Sequence, residues 1–62
     1  MLSGNDRFNI GLAVALAFTE KKDPLENART ACTTMGVKWD TESIRYAKQV
    51  AQRCQKDHRR SL

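Results

Sequence analysis

The sequence predicts an all-α protein: a small three-helix domain whose second and third helices form a helix-turn-helix-like unit and whose first helix mediates a dimer. Three observations carry that reading. No segment alternates apolar and polar residues over four or more positions, so the strand period is missing. Start and stop strings for helices divide the chain into three. Apolar residues recur at steps of three and four, the spacing of one helix face. Length sets the scale, because a 62-residue chain buries only about 60% of the surface its unfolded form exposes. That allows one domain, residues 1–62, with one core and no large cleft. An apolar share of 40% with 29% charge describes a folded chain rather than a disordered one.

The first helix is expected over residues 5–21. Ser3, Asn5 and Asp6 are each competent N-caps, and Lys21 and Lys22 complement the negative end of the helix dipole. This helix has one apolar face too many. With Phe8 as the zero of a helical wheel, Leu12 and Leu16 fall at about 40° and 80°, whereas Ile10, Val14 and Phe18 fall at about 200°, 240° and 280°. The other two helices offer mostly small residues as cover: Ala28, Ala31, Cys32, Ala47, Ala51 and Cys54. One stripe is therefore expected to face water, with Ile10, Val14 and Phe18 the expected exposed set. Such a patch marks an interface, so Phe8, Ile10, Leu12, Val14, Leu16 and Phe18 form the expected contact set of a symmetric dimer. Val14→Asp is expected to dissociate it.

The second helix is expected over residues 24–35. Asp23-Pro24-Leu25-Glu26 places a capping carboxylate, proline at the first helical position and glutamate at the third. Leu25, Ala28, Cys32 and Met35 share one face. Gly36 supplies the left-handed residue that stops the helix, and Val37 folds back on Cys32.

The third helix is expected over residues 41–57, with Asp40 as N-cap and Trp39 stapled against Ile44. Its apolar face holds Ile44, Ala47, Val50 or Ala51, and Cys54, so both cysteines point inward as small hydrophobes. The opposite face holds Glu42, Arg45, Gln49, Gln52, Arg53 and Lys56.

Charge is distributed unevenly around this pattern. Residues 1–44 carry five bases and six acids, a net of −1, whereas residues 45–62 carry six bases against Asp57 alone, a net of +5. A basic C-terminal helix is attracted to polyanions. If the third helix enters a major groove, its leading side chains are Thr41, Glu42, Arg45, Tyr46 and Gln49. Of these, Arg45 suits guanine, Gln49 adenine and Glu42 cytosine. Lys48, Arg53, Lys56, Arg59 and Arg60 would hold phosphates. Asp40 and Glu42 oppose phosphate at the leading end, and the five residues from Gly36 to Asp40 exceed the compact three- or four-residue turn of the motif.

Other chemistries find little support. Two cysteines 22 residues apart and a single histidine do not assemble a zinc site within one chain. Phosphate loops, nucleophile elbows and paired catalytic groups are missing as motifs, so neither an enzyme nor a cofactor is expected. His58 reads as a solvated polar group. The run Ile10–Phe18 is too short to span a bilayer, and the residues before it carry Asp6 and Arg7 rather than a positive leader, so the chain is read as cytoplasmic and not membrane-bound. Two function classes remain. The first is a dimeric, DNA-binding regulatory protein. The second is a helical adaptor or inhibitor that seats Ile10, Val14 and Phe18 in a groove of a larger protein, with its basic end on an acidic rim.

Overall fold

The computed structural model describes residues 2–61 along the backbone and 2–57 in their side chains. It holds three helices, α1 (Gly4–Glu20), α2 (Pro24–Met35) and α3 (Thr41–Ser61), and no strand among the described residues. The molecule measures 35 × 19 × 17 Å. Its long dimension matches α3, whose 21 residues extend about 31 Å at 1.5 Å per residue.

Each helix end is set by local chemistry. Of the three possible caps for α1, Ser3 is the one used: its Oγ accepts the Asp6 N–H at 3.0 Å. The helix stops one residue before the expected end, because Lys21 turns left-handed at φ 58°, ψ 42°. This lets the Lys22 N–H reach back to the Ala17 carbonyl at 2.8 Å. Closing the helix this way satisfies an end carbonyl that would otherwise be unpaired, at the cost of placing a side chain where glycine is favoured. At the start of α2, Asp23 Oδ1 accepts from Leu25 N at 3.0 Å and Glu26 N at 3.2 Å. At its end Gly36 is left-handed at φ 74°, and Val37 N donates to the Cys32 carbonyl at 2.8 Å, as the sequence predicts.

Asp40 caps α3 by accepting from Ser43 N at 3.1 Å. The Ser43 hydroxyl, itself fully buried, donates to the Lys38 carbonyl at 2.7 Å and lies 3.2 Å from Asp40 Oδ1. The 36–40 connection is thus held by a side chain that the apolar pattern passes over. Beyond the expected end at 57, α3 continues to Ser61.

The core is built from small side chains. Among the described residues, Ile10 and Val14 are its only large apolar members without exposure, with Ala13, Ala17, Ala28, Cys32, Ser43 and Ala47 the other buried residues. Phe18, Leu25, Val37, Trp39, Tyr46, Val50, Ala51 and Cys54 pack partly buried around them. Small residues let helix backbones approach closely, so the contact list is lengthened by backbone atoms rather than by side-chain bulk. Asn27 adds a polar tie between helices, donating from Nδ2 to the Ala13 carbonyl at 2.7 Å.

This packing corrects the expectation for α1. Ile10 and Val14 are 0% exposed, whereas Phe8 is 67%, Leu12 48% and Leu16 47% exposed. The stripe left facing solvent is therefore Phe8/Leu12/Leu16, not Ile10/Val14/Phe18. The reason is shape. Ile10 and Val14 share their side of the helix with Ala13 and Ala17, a low surface that nests against Ala28, Cys32 and Ala47. Phe8 and the two leucines on that side would hold the helices apart and leave voids beside the alanines.

Candidate nucleic-acid interface

The side of α3 turned away from the core carries most of the described basic residues of that helix on one stripe. With Arg45 as zero, Gln49, Gln52 and Lys56 fall within about 40° of it, and Lys48 and Arg53 widen the arc to about 140°. Ser43, Ala47, Val50 and Cys54 lie on the opposite side, which fixes the orientation. Arg45, Lys48, Gln49, Gln52, Arg53 and Lys56 are all exposed. Among the described residues, no ion pair engages Arg45, Lys48, Arg53 or Lys56. Their charge is available to a partner. From Arg45 to Lys56 the stripe extends about 16 Å along the helix axis, more than the roughly 12 Å width of a DNA major groove.

The structure brings together Arg45, Lys48, Gln49, Arg53 and Lys56 from the expected set and adds Gln52. Its position seven residues after Arg45 and four before Lys56 is visible in the sequence as the same stripe. The side chains of His58, Arg59 and Arg60 lie outside the described residues. Tyr46, expected among the leading exposed side chains, is instead half-buried against the core. It sits at the border of the two arcs, about 100° from Arg45.

The two acids at the start of α3 are occupied by the chain itself. Asp40 is held as the helix cap, and the Ser43 N–H beside it, with the Ser43 hydroxyl, keeps its carboxyl below the ordinary aspartate range against a smaller opposing effect of desolvation. Glu42 Oε1 accepts the Leu2 N–H at 2.7 Å. Both acids stand ahead of the stripe, so the segment from Arg45 onward is the part of α3 suited to a polyanion.

Elsewhere the chemistry is sparse. Cys32 is buried, and that burial, with a smaller push from Asp6, raises its thiol pKa, which keeps it protonated and a poor nucleophile. Cys54 is free and half-buried. Among the described residues no cluster of three His, Cys, Asp or Glu side chains is placed to hold a metal ion, and no helix is long and apolar enough to cross a membrane. One open groove combines half-buried Trp39, Leu25 and Ile44 with Glu26 and Arg29. Trp39 and Ile44 line it together, where the predicted staple would put them.

Comparison of the chain with known protein families, curated proteins and solved structures returns no match.

Proposed function

We propose that this protein is a small regulatory nucleic-acid-binding protein that lays the outer face of α3 on duplex DNA and works as a dimer joined through α1. The observation that carries this reading is the unpaired stripe Arg45, Lys48, Arg53 and Lys56 with Gln49 and Gln52 between them. Positive groups along one helix face gain by releasing counterions from DNA, and the glutamines and Arg45 can reach base edges. In this reading α2, the Gly36–Asp40 connection and α3 act as a helix-turn-helix-like unit with a lengthened turn. The acids at the front of α3 set it into the groove by its middle rather than by its N-terminal tip.

An adaptor that inserts Ile10, Val14 and Phe18 into another protein is less favoured, because the first two are already covered by this chain's own helices.

Fluorescence anisotropy with a labelled random duplex, titrated between about 50 and 200 mM salt, tests the proposal. Lys48, Arg53 and Lys56 act as phosphate contacts, so replacing all three with glutamine should weaken binding to every sequence and flatten the log–log salt slope by about 3. Arg45→Gln should alter sequence preference, with about 1–3 kcal/mol at stake for a bidentate pair. Equal affinity of the triple variant and the unaltered chain, or no binding at the lower salt, would overturn the reading.

A further inference from the structure

We propose that the exposed face of α1 binds a second copy of this chain in antiparallel orientation, with a two-fold axis passing beside Leu12. The inference deepens the dimeric part of the functional reading and rests on it. Phe8, Leu12 and Leu16 are about half or more exposed, and no charged residue shares their arc of the helix. That face belongs to neither the core nor the basic stripe.

The pattern on the face is symmetric about its centre. Asn5 and Thr19 lie seven residues to either side of Leu12, and Phe8 and Leu16 lie four to either side. Reversing the helix about Leu12 therefore sets Phe8 against Leu16, Leu12 against its own counterpart, and Asn5 against Thr19. Apolar groups meet apolar groups in the middle, and amide meets hydroxyl at both rims. The surface is self-complementary, as a two-fold interface requires.

The helix dipoles select the antiparallel direction over the parallel one. In a parallel pair the two helix dipoles would align end to like end. In the antiparallel pair Glu20, which already holds Lys22 at 3.5 Å, comes level with Gly4 and Asn5 of the second copy. That is the first turn of a helix, whose positive dipole end favours a carboxylate and whose own acid, Asp6, lies about 120° around the helix from Leu12 with its N–H already taken by Ser3 Oγ. The whole chain carries +4, and its basic stripe lies on α3, a different helix from the Phe8, Leu12 and Leu16 face. Since a full aromatic side chain offers about 150–250 Å², the exposed parts of the three apolar side chains make a patch of roughly 300 Å² per copy. With the polar rims, the pair approaches the roughly 1,000 Å² lower limit of specific interfaces, which predicts micromolar rather than nanomolar association.

Sedimentation velocity from about 5 to 500 µM should show monomer converting to dimer, and Leu12→Asp should abolish the conversion with helical circular dichroism unchanged. Leu12→Ala, which introduces no charge, should weaken it at least tenfold. Direction is read by cross-linking single-cysteine probes in a Cys54→Ser background under mild diamide oxidation. Leu12→Cys should link to itself, whereas Phe8→Cys and Leu16→Cys should link only when the two variants are mixed. A monomer at every concentration overturns the proposal, and self-linking of Phe8→Cys and Leu16→Cys in separate tubes overturns the antiparallel arrangement. Failure of DNA binding is a separate result, since the glutamine variants of α3 should dimerise as the unaltered chain does.

Discussion

Asp40 is an exposed carboxylate with an unusual amount to do at the start of α3. It accepts from the Ser43 backbone, stands beside the Ser43 hydroxyl, and so holds the first turn of the helix and the 36–40 connection together. Because the folded chain lowers its pKa below the value in the unfolded chain, the stabilisation is complete above the unfolded pKa and is lost as pH falls through the folded one. The urea midpoint of the unaltered chain should therefore drop on acidification below about pH 4. Asp40→Asn, which can still cap but cannot titrate, should lose part of that dependence. An identical acid profile for both chains would show that other carboxylates account for it. Asp40 was readable as a cap from its place before an apolar repeat. Ser43 was not, because a hydroxyl at the third helical position reads as surface. Its role depends on the Lys38 carbonyl five residues earlier, a contact with no sequence period.

At the scale of elements, the three helices follow from capping strings, but the burial of α1 does not. A helix with apolar groups on two sides gives the same periodicity whichever side is covered. What decides between them is the depth of the opposing surface, and Ala28, Cys32 and Ala47 make that surface shallow enough for Ile10 and Val14. The composition of the second and third helices contained this information, whereas the choice of stripe needed the three-dimensional fit. The consequence for mutagenesis is a reversal of the expectation at Val14. Val14→Asp places an unpaired charge in the core and should cost more than about 3 kcal/mol, unfolding the chain rather than dissociating it. Leu12→Asp, half a turn away on the exposed side, should change monomer stability by no more than about 0.5 kcal/mol. Chemical denaturation at low protein concentration separates the two; similar losses at both sites would mean that the helix is turned differently. Asn27 teaches the same lesson, since its bond to the Ala13 carbonyl joins two helices that no local pattern connects.

For the whole molecule, the decisive property is the separation of two exposed faces of different chemistry. The core occupies one side of each of α1 and α3, which leaves an uncharged apolar face on the first and a basic, amide-rich face on the third. The basic face was legible from charge and helical spacing, even to the stripe that admits Gln52. That spacing names no partner, because an arc of arginine and lysine suits any regular polyanion. If the copies associate through α1, folding and assembly are linked by mass action. The thermal midpoint should then rise with protein concentration for the unaltered chain and stay constant for Leu12→Asp. Concentration-independent melting of both would separate stability from assembly and leave the α3 surface as the sole working face.

The core of alanine, cysteine and serine around one isoleucine and one valine also has an entropic side. Side chains with few or no rotamers lose little freedom when buried, and alanine loses none. Folding this chain therefore freezes the backbone but almost no side-chain motion at its centre, which suits a domain with little apolar area to bury. Longer side chains at Ala28 or Ala47 would carry a double penalty: they would push the helices apart and lose the rotational freedom that the present residues never had.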